Sequence, residues 1–232
     1  MVLRQEGRVV NPVLTPFQEE LLRAIAGTEI GEAFFLTGGT ALAAFHLHHR
    51  RSEDLDFFTS DDAAMTLVRP SLERAAAILG ASVEYRRAYA TFVDCRIHRP
   101  GDEPVLVDFA VDQPYRLKPL VRDPEYGILV DDSLDIACNK LSALFDRHEP
   151  KDFVDVYFVD RELYRFPDVL RNARKKHVGM DGFWLAQSLK KADSLILLPR
   201  MLKKIDLAGM KRFFLEWAER LIDEMEDRGG VS

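Results

Sequence analysis

Two aspartates separated by a single residue, in Ser52-Glu-Asp-Leu-Asp56, follow a diglycine turn, Leu36-Thr-Gly-Gly-Thr40. Side chains of an extended strand alternate faces, so Asp54 and Asp56 point the same way, with Cα atoms ~6.5 Å apart. Carboxylates in this arrangement, beside a turn whose backbone N–H groups can approach phosphate, describe a divalent-metal site for a nucleoside triphosphate. Joining a nucleotide to an acceptor uses two such ions about 3.5–4 Å apart, one at the attacking hydroxyl and one at the triphosphate. Both prefer oxygen ligands, so Mg²⁺ (or Mn²⁺) is the expected cofactor and a third carboxylate is needed. Asp108 in Val105-Leu-Val-Asp-Phe-Ala110 is the best source, because an unpaired carboxylate in an apolar strand is costly to bury. Asp94, in Phe92-Val-Asp-Cys95, is the weaker choice, and Asp112 sits at a strand end where a surface role suits it better. The expected metal ligands are therefore Asp54, Asp56 and Asp108. Gly38, Gly39, Thr40 and Ser52 are expected to steady the NTP phosphates.

These residues need elements to hold them. Thr15-Pro-Phe-Gln18 reads as a helix start, with Thr as cap, Pro in the first turn and Gln three residues after the cap. Ala33 to Thr37 reads as a short buried strand, and Thr40 as the cap of a helix through about His49. Asp54 to Thr59 is the next strand. A helical stretch then runs from Asp61 or Asp62 to Gly80, with a break expected near Pro70. Strands are expected over Ser82 to Tyr89, Thr91 to His98 and Pro104 to Val111, the last two separated by the turn residues Pro100, Gly101 and Asp102. After Asp131 the pattern is helical: residues 133–148, about 150–160, and several segments between 167 and 227. The expectation is an α+β fold, a mixed sheet with packed helices over residues 1–130 followed by a helical region over 131–232. Their boundary is placed in the Pro- and Gly-containing loop from Gln113 to Asp132.

The spacing and order of these motifs resemble the nucleotidyltransferase family of the AbiEii/AbiGii toxins, within the DNA polymerase β-like superfamily. The likeness rests on Gly38-Gly39-Thr40-Ala41, on Arg50 or Arg51 with Ser52-Glu53-Asp54-Leu55-Asp56, on Asp135-Ile-Ala-Cys-Asn-Lys-Leu-Ser-Ala-Leu-Phe-Asp-Arg147, and on Lys151-Asp-Phe-Val-Asp155. It covers about residues 15 to 160. The resemblance implies a polymerase β-like nucleotidyltransferase fold and transfer of a nucleotide from an NTP to an RNA end, such as a tRNA acceptor stem. It also implies a toxin role beside a partner antitoxin, often in phage defence. Lys140 is implied to offset charge on the β- or γ-phosphate, and Asp152 to hold Lys140 or a substrate hydroxyl. The last motif departs from the family, which usually begins it Arg-Asp. Lys151-Asp152 keeps the charge and loses a bidentate contact.

The residues alone leave a plainer reading of Lys140. Leu134, Ala137, Leu141, Leu144 and Phe145 form an apolar stripe, and a lysine at its margin can lay its stem on the core and expose its head. Asp152, near Pro150, could equally be a helix-dipole carboxylate. His46, His48 and His49 lack the partners of a zinc site, and a basic rim beside Arg50 and Arg51 is the expected use.

Composition narrows the partners. The 232-residue chain has a formal charge of −6, yet residues 161 to 212 hold thirteen Lys/Arg against five Asp/Glu, a net of +8 that leaves −14 for the remainder. A polyanionic partner suits that block, as do solvated helix faces. Apolar runs fall short of the ~20 residues of a membrane span, and the first eight residues lack an apolar signal region. Cys95 and Cys138 form no C-x-x-C pattern, so a reducing cytoplasm is expected. No Walker A sequence, Gly-x-Ser-x-Gly or dinucleotide fingerprint occurs. Two rival readings keep the same motifs: a small-molecule adenylyltransferase of the antibiotic-modifying kind, and a non-catalytic nucleotide-binding module.

Overall fold

A Thr-x-x-Gln capping box starts the first long helix. Thr15 Oγ1 accepts from the Gln18 amide at 3.2 Å while Gln18 Oε1 accepts from the Thr15 amide at 2.8 Å, so two otherwise unpaired donors satisfy each other's residue. The computed structural model describes residues 4–5, 8–9, 11–112 and 115–229; Gln113, Pro114 and most of the N-terminal stretch read for a signal region lie outside them. The chain divides into two compact units, Met1–Asp132 and Ser133–Ser232.

The first unit opens with a small antiparallel pair, β1 (Arg4–Gln5) and β2 (Arg8–Val9). Helices α1 (Pro16–Ala26) and α2 (Glu29–Ala33) lead to β3 (Phe35–Thr37), then α3 (Gly38–Ala41), which widens into a π-helical segment, Leu42–Leu47. β4 (Asp54–Thr59) follows. A 3₁₀ turn capped by Asp61 leads into α4 (Met65–Ile78), and β5 (Ser82–Tyr89), β6 (Phe92–His98) and β7 (Val105–Val111) come next. Two short strands, β8 (Val121–Arg122) and β9 (Leu129–Val130), end the unit.

Seven strands form one mixed sheet in the order β5-β6-β7-β4-β3-β9-β8. The β4–β7 and β3–β9 pairs are parallel and the rest antiparallel. Alternation decides what each face does. Leu55 and Phe57 of β4 are buried with Val105, Val107 and Phe109 of β7, and the Phe57 and Phe109 rings stack with centroids 5.4 Å apart. The intervening residues of both strands, including Asp54, Asp56 and Asp108, face the other way. Each fully buried Phe or Leu of this core contributes ~1.5–3 kcal/mol. The central strands are thereby fixed in register, and with them the carboxylates on the opposite face.

Three local expectations change. Helix formation begins at Gly38 rather than after Thr40, and the Thr40 hydroxyl donates to the Asp54 carbonyl instead of capping. Pro70 does not break α4: its ring removes one ladder bond, and the buried stripe of Val68, Leu72, Ala75 and Ala76 carries the helix through. The segment read as a boundary loop contributes β8 and β9 to the sheet. Two-residue strands are too short to leave an alternation signature.

The second unit is helical: α5 (Ser133–Arg147), α6 (Pro150–Glu162), α7 (Phe166–Lys176), α8 (Gly182–Lys190) and α9 (Leu207–Gly229). Aromatic contacts bind them, with Phe153 against Phe214 at 5.1 Å and Phe166 against Trp217 at 4.9 Å between ring centroids. Among the described residues, no helix is long and apolar enough to cross a membrane.

Candidate active site

Four neighbouring strands carry a row of polar residues in register. Thr37 of β3 lies opposite Asp56 of β4, Asp56 opposite Asp108 of β7, and Asp108 opposite Asp94 of β6. Neighbouring strands are ~4.8 Å apart, so register partners share a face at close quarters. Asp54, two residues before Asp56, joins the same face. The three aspartates singled out as metal ligands thus occupy two adjacent strands on one side of the sheet.

The diglycine turn is shaped around this row. Gly38 has φ +70, and a Cβ placed on it would lie 2.1 Å from Asp56 Oδ2. Only glycine accepts both that backbone conformation and the carboxylate pressed against it. At Gly39 a Cβ would come 2.7 Å from Arg50 Nη2 and 3.2 Å from Ser52 Oγ. Asp56, Arg50 and Ser52 therefore crowd the start of α3, where the leading amides have no intrahelical acceptor and suit phosphate oxygens. Gln18, once its capping role is met, reaches across with Nε2 to the carbonyls of Ser52 (3.4 Å) and Glu53 (3.0 Å), tying α1 to the entry of β4.

Repulsion and burial act together on Asp108. Its pKa is pushed up to about 6, chiefly by burial, then by the charges of Asp56, Asp94 and Asp54, with Arg87 pulling the other way. Asp94 is buried and paired within the protein: Arg87 donates through Nε at 2.9 Å and Nη2 at 2.8 Å, and Arg86 Nη1 lies 3.7 Å away. An irregularity in β5 between Tyr85 and Arg87 makes this pairing geometrically accessible, because adjacent residues of a regular strand face opposite sides. Asp94, the weaker choice for a third ligand, is thus committed to internal cations.

The donor set fits a hard divalent ion. It is made of carboxylate oxygens on adjacent strands, and burial followed by the charge of Asp56, Asp94 and Asp54 raises the pKa of Asp108. The carboxylates line up along the row; among the described residues no three His, Cys, Asp or Glu side chains already close around a single point.

Several neighbours escaped the sequence reading. Asp131 is buried, accepting from Thr37 Oγ1 at 2.8 Å and from the Arg116 guanidinium, which also lies 4.3 Å from the Phe35 ring centroid. Its signal, an aspartate after the short apolar run Ile128-Leu-Val130, was obscured by the adjoining helix start. His49 and Arg50 are buried rather than part of a basic rim, and His46 Nε2 lies 3.2 Å from the Asp131 carbonyl.

Lys140 and Asp152 belong to the helical unit. Lys140 is 5% exposed, with Nζ 3.3 Å from Asp152 Oδ1 and 2.8 Å from Asp155 Oδ2. Arg147 also grips Asp152 in a two-pronged contact at 2.7 and 2.9 Å. The lysine head is inside the protein, not exposed beside the apolar stripe. Lys151 pairs with Glu149 at 3.2 Å. In the basic block, Lys176 pairs with the buried Asp135 at 2.7 Å, while Arg171 and Lys203 are paired with Asp168 and Glu162.

The chain resembles known proteins in sequence and in fold. The Aquifex aeolicus protein aq_aa25 is 28% identical over 177 residues, 74% of this chain and 80% of its own. JHP933 from Helicobacter pylori superposes with a TM-score of 0.55 at 18% identity, covering 92% of each chain. MenT4, a nucleotidyltransferase toxin of Mycobacterium tuberculosis H37Rv, gives 0.55 at 16% identity, covering 89% of this chain and 82% of its own. These structures share the fold, that of the nucleotidyltransferases. The family model for the nucleotidyl transferase AbiEii toxin, type IV toxin–antitoxin system, matches residues 20–223. The chain belongs to that family and is an NTP-dependent nucleotidyltransferase.

Proposed function

We propose that this protein moves a nucleotide from an NTP to the 3′ hydroxyl of an RNA, a tRNA in the first instance, as the toxin of a type IV-like toxin–antitoxin pair in the cytoplasm. The observation that carries the proposal is the register of Asp56 against Asp108, with Asp54 on the same face and Asp56 pressed against the diglycine turn.

In this reading Asp54, Asp56 and Asp108 hold Mg²⁺ (or Mn²⁺), which when bound supplies charge neutralisation for the triphosphate and acidifies the acceptor hydroxyl. The amides of Gly38, Gly39 and Thr40, with the Ser52 hydroxyl, hold the β- and γ-phosphates and orient the α-phosphorus. Asp108, nearest the attacking hydroxyl in this reading, accepts its proton. The acceptor oxygen bonds to the α-phosphorus in line as the bond to pyrophosphate breaks. Lys140, held by Asp152, offsets charge on the departing pyrophosphate. Positioning and electrostatics account for the acceleration in this scheme.

The test is transfer of label from each α-labelled NTP to total cellular RNA in the presence of Mg²⁺. Asp56→Ala is expected to lower transfer about a hundredfold or more while the fold, read by circular dichroism, persists. Undiminished transfer in that variant would remove the proposal's basis.

A further inference from the structure

The helical unit contains an open cavity of about 610 Å³ between the end of α5 and the exposed face of α8. That volume falls in the ~300–1,000 Å³ range of small-ligand clefts. Phe145, His148, Trp184, Ser188, Lys190 and Lys191 border it. We propose that this cavity is a stacking site for an unpaired nucleotide of an RNA strand, with the base on Trp184 and the flanking phosphates on Lys190 and Lys191. The proposal deepens the acceptor reading above and rests on it for the choice of RNA.

Trp184 is the first reason. Its side chain is 63% exposed although Trp is among the most buried residues by area, and its neighbour Phe183 is 43% exposed, the two rings edge to face at 5.3 Å. The chain's other tryptophan, Trp217, is packed against Phe166. Burial in the helical core therefore does not explain Trp184, which instead presents a flat apolar surface to solvent.

The second reason is charge. Lys190 and Lys191 are exposed, and among the described residues neither is within ion-pair distance of a carboxylate, in contrast to Lys176 and Lys203. Trp184 of α8, Lys190 at its end and Lys191 at the start of the following 3₁₀ turn all border the same cavity. An aromatic face beside unpaired cations is the arrangement that takes a base and its phosphate without regard to sequence.

The third reason is the floor. Ser188 Oγ donates to the Phe145 carbonyl at 3.1 Å and lies 2.9 Å from His148 Nε2, and His148 is held in the left-handed region at φ 55. These contacts give the cavity a fixed polar base. A polar floor under an aromatic wall fits a nucleobase, with its hydrogen-bonding edge, better than an aliphatic side chain from a protein.

Anisotropy of a fluorescein-labelled single-stranded RNA decamer, titrated with the full chain, tests this. Trp184→Ala is expected to weaken binding about tenfold, and Trp184→Phe to recover most of the loss, because stacking needs only a π-face. Changing both Lys190 and Lys191 to Ala should flatten the log–log salt slope by about 1.4, the increment for two single-strand phosphates. A duplex of the same sequence should bind without reference to Trp184. The inference is overturned if the decamer does not bind, if Trp184→Ala binds it as the parent does, if the duplex loses as much, or if AMP competes as tightly as the decamer. Binding is read without turnover, so inactivity of the parent in NTP transfer would count against the proposed function alone. Unaltered decamer binding by Trp184→Ala would count against this site alone.

Discussion

Asp56 and Asp108 are direct register partners across the parallel strands β4 and β7, one strand spacing apart and on the same face. Two carboxylates placed so closely repel, and burial followed by this repulsion raises the pKa of Asp108. The sheet maintains this repulsion because the opposite face of both strands is locked by Phe57 on Phe109. Core packing therefore sustains an arrangement that electrostatics alone would disperse.

The pH dependence of stability follows from that pKa. Asp108 rises from 3.8 to about 6 on folding, so the folded state holds its proton longer than the unfolded state does. For an acid shifted upward, stability is greatest below pH 4, declines as pH climbs from about 4 to about 6, and is flat above. Melting temperatures in EDTA should show this decline in the parent and a smaller one in Asp108→Asn. Added Mg²⁺ should raise the parent's melting temperature above pH 6 and leave the variant's nearly unchanged. Equal pH profiles for the two proteins would contradict the assignment.

Gly38→Ala is expected to destabilise the protein by about 1–3 kcal/mol and to abolish transfer, since the new methyl group meets the Asp56 carboxylate in a left-handed backbone. Gly101→Ala is the control. That glycine also has positive φ, at +89, but a Cβ there meets nothing within 4 Å, so only the backbone penalty of about 1 kcal/mol applies. Urea denaturation of both variants, with transfer assays, separates strain from collision.

Lys140→Met removes the cation between Asp152 and Asp155 and is expected to lower stability by up to about 3 kcal/mol, since Asp152 keeps its contact to Arg147. If Lys140 also offsets pyrophosphate charge, kcat per folded molecule at saturating NTP should fall, and Lys140→Arg should restore part of it. A variant that melts early yet turns over normally when folded would confine Lys140 to a structural role.

Salt distinguishes the acceptor. Log kcat/KM for an RNA acceptor should fall linearly with log salt, by about 0.7 per single-strand phosphate contacted. An aminoglycoside offered instead should not follow that slope. Transfer to RNA that ignores salt would return the small-molecule reading to first place.

Much of this fold could be read from the chain because its signals are local. The capping box at Thr15 and Gln18 forms as written, β4 spans Asp54–Thr59 as expected, and β5 to β7 fall within a residue or two of their predicted limits. Asp108 stood out as the carboxylate that interrupts the apolar run Val105-Leu-Val-Asp-Phe-Ala110. What stayed hidden depends on partners distant in sequence. Asp131 matters through Thr37 and Arg116, and β9 exists because β3 offers it a free edge. Arg50 looked like surface charge because nothing local shows that Gly39 leaves room for a guanidinium. The two arginines that meet Asp94 were equally unreadable, since a strand irregularity has no composition of its own.

That irregularity in β5 has a quantitative consequence. By bringing Arg86 and Arg87 to the same acid, it retires the outermost member of the aspartate row from competition for dissolved cations. Deleting Arg86 to restore a regular strand would remove one guanidinium and leave Arg87, its register partner, as the cation that holds Asp94. A single extra residue three strands away from Asp56 thus adds a second cation to the acid at the outer end of the row.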